Sequence, residues 1–350
     1  MSTKFVGESI PRLDAVAKVT GQALYPGDYS MEGMLHAKVL WSEYPHALIH
    51  RIDISAVCQC QGVVTVLTHD DVPVNEFGIY VKDQHVLAEG IVRSMGDPVA
   101  LVIAETEESA ARARDLIKVD YEPQPGLFDP REAMRPDAPL VHESKGSNIL
   151  NHIKIRKGDI EEGFAQADVI VEGTYHTPHV EHAYLQPEAG LGYIDQEGRV
   201  TVVVAAQWAH DDVHQIAHAL GLVEEQVREI VPAVGGAFGG REDISLQILV
   251  ALGAFKTGQP VQLVYSREES MRGHGKRHAF YMTHRWGATK EGKLTAVEIE
   301  MIADAGAYLS TSLPVLRTAA SFAAGPYVVP HARVDAYVVH TNNLFTMAMR

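Results

Sequence analysis

Short apolar stretches separated by turn residues set the pattern of the first third of the chain. Met34 to Leu40 (MLHAKVL) and Val63 to Leu67 (VVTVL) read as strands. Val99 to Ala104 (VALVIA) is apolar throughout, with β-branched residues, which predicts a strand buried on both faces. Thr106 follows as an N-cap. Glu107 and Glu108 fall in the first turn of the predicted helix and Arg112 and Arg114 near its end, the order that suits the helix dipole. Lys118 to Tyr121 returns as a strand, and Tyr25-Pro26-Gly27-Asp28 reads as a turn. Residues 1–125 therefore predict a small domain of mixed helix and strand.

Residues 126–147 read as a proline-rich linker. Pro123 and Pro125 lead into it, Pro130, Pro136 and Pro139 interrupt it, and it has little periodicity. Residues 148–350 predict a second domain, with strands at Asn151 to Lys157, Val169 to Tyr175, Val200 to Ala206 and Val261 to Tyr265. Helices are predicted at Asp211 to Leu220 and Asp243 to Phe255. No repeat of solenoid length is present. The predicted fold class is α+β.

The 350 residues carry 30 Lys plus Arg against 45 Asp plus Glu, a formal charge of −15, and 46% are apolar. That apolar content excludes disorder as the dominant state. The acidic balance argues against sequence-independent nucleic-acid binding and against docking on anionic membranes. The longest apolar run, Ile248 to Phe255, is far too short to span a bilayer, and Met1 to Phe5 lack a signal-type stretch. The cytoplasm is the expected compartment. Cys58 and Cys60 are too few for an iron–sulfur cluster or a zinc ribbon and read as reduced thiols.

Chemistry concentrates between Val227 and Gly258. A strand ending near Val234 is predicted to feed Gly235-Gly236-Ala237-Phe238-Gly239-Gly240, with Arg241-Glu242-Asp243 opening a helix. Such a unit reads either as an anion cradle or as a tight turn with close packing. The spacing fits neither a P-loop nor G-x-G-x-x-G, so a standard ATP or NAD site is disfavoured. Glu242 reads either as a helix-start acid or as a carboxylate beside the loop's ligand. His210, His214 and His218 are spaced to share one helical face, and His176, His179 and His182 form a second cluster. Each could ligate zinc, or simply be solvated or interfacial. Ser266 to Phe280 carries Arg267, Arg272, Lys276 and Arg277, and reads as a solvated loop or an anion clamp.

Taken together, these stretches resemble the molybdopterin-binding large subunit of the xanthine dehydrogenase and aldehyde oxidase family. IPRLDAVAKVTGQALYPGDY and RSMGDPVALVIAETEESAARA are similar to the opening and the strand–helix unit of that family's hammerhead-like domain. HVEHAYLQPEAGLGY, QWAHDDVHQIAHALGL, VGGAFGGRED, SREESMRGHGKRHAF and ADAGAYLSTS follow in the family's order, VGGAFGGRED being the most specific. The resemblance implies a hammerhead-like domain followed by the first part of a molybdopterin-binding domain. It also implies a molybdenum hydroxylase that places a water-derived oxygen on an electron-poor carbon of an N-heterocycle or aldehyde.

By position, Gln207 matches the family glutamine near the molybdenum. Gly236, Ala237, Phe238, Gly239 and Gly240 match the pterin-contacting loop. Glu242 and Arg277 match residues that, in purine-hydroxylating members, bind the heterocycle and steady its developing charge. Arg350 matches the first residue of the family's Arg-Gly-Phe-Gly loop. The resemblance favours a purine such as xanthine or hypoxanthine, with nicotinate-type heterocycles or aldehydes next. The metal would be held through a molybdopterin, in a dinucleotide form, and by no side chain. The [2Fe–2S] clusters and FAD would sit on partner subunits. The sequence departs from the pattern in stopping at Arg350, so a second molybdopterin-binding chain is expected to bring the C-terminal half with its glutamate base. It departs again at Gln186, where the family has glutamate. A cofactor-free assembly fragment and a zinc protein using His214 are the readings from other classes.

Overall fold

The computed structural model describes residues 6–350, the side chain of Cys58 excepted. The N-terminal residues 1–5 and the Cys58 thiol, both considered in the sequence, lie outside this description.

The first segment contains α1 (Ala15–Val19), β1 (Leu35–Trp41), β2 (Ala47–Asp53), β3 (Val63–Leu67), β4 (Ile91–Val92), β5 (Pro98–Ala104), α2 (Glu107–Arg114) and β6 (Lys118–Pro123). The apolar run of β5 is buried from Val99 to Ala104, as two-sided burial requires, with β1 on one edge and β3 on the other. Thr106 caps α2, its Oγ1 accepting from the Ser109 amide at 3.1 Å.

The proline-rich stretch is not a free tether. It holds α3 (Pro130–Ala133), the Leu127 amide donates to Asn342 Oδ1 at 2.9 Å, and Asn343 Nδ2 donates to the Phe128 carbonyl at 2.8 Å. Next come β7 (Ile149–Lys157), α4 (Ile160–Ala165), β8 (Val169–Thr177), β9 (Ala189–Ile194), β10 (Val200–Val204), α5 (Ala209–Leu220) and β11 (Val227–Ile230). The chain ends with α6 (Gln247–Thr257), β12 (Val261–Val264), α7 (Arg267–Gly273), β13 (Lys276–Arg277), β14 (Phe280–Ala288), β15 (Leu294–Gly306), α8 (Ser312–Ser321), β16 (His331–His340) and β17 (Thr346–Met347).

A mixed sheet of seven strands, in the order β11-β10-β9-β12-β1-β5-β3, takes members from both segments. β1 runs parallel to β12, with Leu35 opposite Val261, and the Leu35 amide donates to the Pro260 carbonyl at 2.8 Å. One core, including Val39, Ile103, Val202, Ile248 and Leu263, joins the two segments under α5 and α6. A second sheet, β7-β16-β15-β14-β8, packs Ile299, Met301, Val334 and Val338 against Leu316 of α8. Among the described residues β8 is an edge strand of this sheet, paired with β14 alone. No described helix is long and apolar enough to cross a membrane.

Three local expectations are corrected. The strand expected to reach Val234 ends at Ile230. The helix expected from Asp243 begins at Gln247, whose Oε1 bends back to accept from the amides of Ser245 and Leu246. The run Ser266 to Phe280 is not a solvated loop. Ser266 and Glu269 form a capping box at the start of α7, and Gly273, His274, Gly275, Lys276 and His278 are buried.

Candidate functional site

The glycine loop leaves β11 without regular structure and is turned by positive φ at Gly236 (111°), Phe238 (53°) and Gly239 (91°). Four of its carbonyls are tied down. Gly236 accepts from Arg241 Nε at 3.0 Å, Ala237 from the Gly240 amide at 2.8 Å, and Phe238 from the Arg350 amide at 2.7 Å. The Gly240 carbonyl meets His274 Nε2. By contrast the amides of Gly236, Ala237, Phe238 and Gly239 donate to no acceptor among the described residues. Bonded carbonyls with free N–H groups suit an anion-receiving nest. No helix dipole assists it, because α6 begins beyond Leu246. Glycine is required here for packing too. A Cβ on Gly239 would lie 2.8 Å from the Ala348 carbonyl, and one on Gly240 would lie 2.8 Å from the His182 ring.

Beneath the loop lies a polar core that the motif reading missed. Arg241 is buried, its guanidinium 4.1 Å from the centroid of the Tyr184 ring. Its Nη2 donates to the Gln186 carbonyl at 2.8 Å. Burial pulls this guanidinium down to about 10, against the attraction of Glu188. The Tyr184 hydroxyl donates to Glu188 and lies 3.1 Å from His274 Nε2. Gln186, the departure from the family pattern, accepts from the Gly235 amide through its Oε1 at 2.8 Å and so clips the start of the loop. Glu188 is buried immediately before β9.

Glu242 does not open a helix. It is buried to 1% exposure and forms an ion pair with Arg350. Burial raises its carboxyl above the ordinary value and Arg350 opposes that rise. Glu242, Arg277 and Arg350 line one cavity of about 350 Å³, with Trp208, Phe280 and Met347 among its apolar walls. The Arg277 backbone is fixed by its amide donating to Val180 at 2.8 Å. Its guanidinium makes no hydrogen bond or ion pair among the described residues. Gln207 borders a neighbouring cleft with Tyr80 and Asp211, and Trp208 borders both spaces. The Gln207 Oε1 accepts from the Arg241 amide at 3.2 Å, which leaves its NH₂ to donate outward. An oxyanion- or phosphate-bearing cofactor fits this donor set.

The histidine clusters separate. His214 pairs with Glu224 at 2.9 Å on the surface, while His218 faces Lys82 at 3.0 Å. No metal-type group among the described residues includes His210, His214 or His218. Two trios do converge, Asp83 with His142 and His340, and Glu181 with His182 and His274. An ammonium already occupies each carboxylate, Lys145 on Asp83 at 2.6 Å and Lys276 on Glu181. Burial alone would raise the Glu181 carboxyl, yet His274 and Lys276 hold it down to about 2.

The profile described as "Molybdopterin cofactor-binding domain" matches residues 141–350, and that described as "Aldehyde oxidase and xanthine dehydrogenase, a/b hammerhead domain" matches residues 20–125. The chain is 40% identical to the nicotinate dehydrogenase large molybdopterin subunit of Eubacterium barkeri, covering 99% of this chain and 81% of that one. It is also 40% identical to a probable xanthine dehydrogenase subunit of Bacillus subtilis, covering 95% of this chain and 44% of the other. The aldehyde oxidoreductase structure from Desulfovibrio gigas superimposes with a TM-score of 0.93 at 31% identity, over 97% of this chain and 39% of that one. The chain thus spans less than half the length of the last two.

Proposed function

The chain belongs to the xanthine dehydrogenase and aldehyde oxidase family of molybdenum oxidoreductases, and we propose that it supplies the pterin-contacting loop and a polar wall of the substrate pocket in an enzyme hydroxylating an N-heterocycle, a purine first. The observation that carries this reading is the convergence of Glu242, Arg277 and Arg350 on one cavity beside a loop of free amides.

Bound molybdopterin would supply the redox chemistry, accepting the substrate's electrons while oxygen from water enters the ring. This chain's residues bind and orient. The amides of Gly236 to Gly239 receive oxygens of the cofactor, and the free NH₂ of Gln207 donates toward it. Glu242, held by Arg350, hydrogen-bonds a ring nitrogen. Arg277, with its guanidinium free, meets negative charge as it accumulates on the heterocycle, an interaction worth more in the transition state than before it.

The rest of the assembly belongs to the same proposal: a dinucleotide form of the pterin, [2Fe–2S] and FAD subunits, a second molybdopterin-binding chain with the remaining half, and a cytoplasmic location. Its support is the Eubacterium relative, described as a large molybdopterin subunit, of which this chain covers 81%. The test is the molybdenum, iron and flavin content of the complex purified from its source. Molybdenum near one per chain with a second pterin-binding polypeptide is the expected result. Purified chain alone, without molybdenum, would leave a fragment without this function.

A second reading, a nicotinate-type substrate, is favoured by the Eubacterium relative and by the cavity's two guanidinium groups against one carboxylate, which suit a ring bearing a carboxylate. Comparing kcat/KM for xanthine, hypoxanthine and nicotinate on the purified complex separates the two.

A further inference from the structure

Beneath the glycine loop, side chains from two segments turn donor atoms toward one another. Glu181, His182 and His274 offer ligand atoms that all lie within 4.8 Å of each other. Both rings are held in a defined tautomer. His182 Nε2 donates to the Ala348 carbonyl at 2.7 Å, and His274 Nε2 donates to the Gly240 carbonyl. A carbonyl can only accept, so each neutral ring keeps its proton on Nε2 and presents a lone pair at Nδ1. Both Nδ1 atoms are buried and have no hydrogen-bond partner among the described residues. His274 is 1% exposed and His182 6%. Burial also lowers the His182 imidazole below its ordinary value, which favours the neutral form. Glu181 Oε1 lies 3.7 Å from His274 Nδ1, too far for a hydrogen bond. It is close to the separation of about 3.3 Å between two ligands of a tetrahedral zinc with bonds of about 2.0–2.1 Å. The other contact of this oxygen is a long one, with the Ala183 amide at 3.4 Å. Lys276 takes the second oxygen, Oε2, and the His274 carbonyl at 2.7 Å. In the other trio, by contrast, the Lys145 ammonium stands among the ligands, 2.6 Å from Asp83 and 3.4 Å from His340 Nε2.

We propose that Glu181, His182 and His274 form a site for a divalent transition metal, zinc, with water as the fourth ligand. Two imidazoles whose far nitrogens are pinned by carbonyls, beside a carboxylate, are the ligand set and the outer support that such an ion uses. Its role is structural. A metal joining the two rings braces the Gly240 and Ala348 carbonyls, and with them the glycine loop and the end of the described chain. The Glu181 side chain, 15% exposed, gives the way in. The site is separate from the molybdenum of the proposed function and does not depend on it.

The test is zinc uptake by the full chain after treatment with EDTA, measured by equilibrium dialysis and elemental analysis, with Co²⁺ as a spectroscopic probe. One zinc per chain is expected, together with the visible absorption of four-coordinate Co²⁺. Zinc at about 100 times its dissociation constant should raise the melting temperature by about 3 °C. His182→Gln and His274→Gln should each weaken binding by at least about 100-fold, more than the loss of an outer partner does. Because both rings are buried, Lys276→Met serves as a second variant that keeps all three ligands. Without the ammonium that shares Glu181, zinc should bind about tenfold more tightly. His214→Ala, at the surface pair with Glu224, should leave uptake unchanged. No zinc held by the unaltered chain would overturn the site. So would zinc lost in His214→Ala and kept in His182→Gln, or binding that is unchanged or weaker in folded Lys276→Met.

Discussion

Glu242 and Arg350 form an ion pair at the cavity that also holds Arg277, joining the residues after the glycine loop to the end of the described chain. The pairing fixes the Glu242 carboxylate in a buried position where burial alone would favour its protonated form. Glu242→Gln keeps the shape and removes the charge. In the purified complex we expect kcat/KM for a purine to fall about 10- to 100-fold, measured by steady-state kinetics.

Arg277 differs in having its guanidinium free. If it meets charge that develops only in the transition state, Arg277→Gln should lower kcat by about 100-fold with little change in KM. A rise in KM with kcat intact would instead assign it to ground-state binding, as a ring carboxylate would require.

Gly239 combines a φ of 91° with the Ala348 carbonyl 2.8 Å from any added Cβ. Gly239→Ala should cost about 1–3 kcal/mol in urea unfolding. It should also reduce the pterin recovered per chain, because the shift would move the neighbouring free amides.

Arg241 is tied to two carbonyls and stacked on Tyr184, so Arg241→Met leaves the Gly236 and Gln186 carbonyls and the Glu188 carboxylate without their cation. The expected loss is about 3 kcal/mol or more by chemical denaturation. Arg241→Lys should recover only part of it, since an ammonium cannot reproduce the planar fork.

Asp212 and Glu229 lie near one another, and desolvation pushes both carboxyls well up, reinforced at Glu229 by Asp212 and at Asp212 by the charges of Asp243 and Asp211. With folded values above unfolded ones, the folded state binds more protons between the two. Stability is then greatest at low pH within that window and falls as pH rises through the raised values. The melting temperature should decline from about pH 6 toward about pH 9, and Glu229→Gln should flatten the decline. A pH-independent melting temperature over that range would show that the pair is ionised without cost.

Much of the fold is legible in the sequence because its signals are local. The apolar run of β5, the Thr106 cap and the glycines of the loop each state their structure within a few residues. What stays hidden depends on distant partners. The pattern predicts a helix start at Asp243, but its carboxylate accepts from Ser310 at 2.6 Å and from Gln215 at 3.2 Å, and that anchoring holds the chain out of helix until Gln247. The many charges of Ser266 to Phe280 suggest a solvated loop. Its lysine and arginines are instead spent on Glu181, on the carbonyls of Ser42 and Tyr184, and on the cavity wall. The glycine loop is recognisable, while the Arg241–Tyr184–His274 core that holds its carbonyls is not, since three separated segments build it.

The parallel pairing of β1 with β12 also sets an order for synthesis and folding. β1 can pair with β5 early, but a ribosome must deliver residues past Val264 before β1 can acquire its second partner, so the hammerhead-like segment waits with one edge open while the middle of the protein is made. The segment expressed by itself would keep that edge permanently and should self-associate. The vulnerable interval in the cell is the one between the emergence of Leu35 and that of Val261, when a chaperone or the ribosome surface must shield the unfinished sheet.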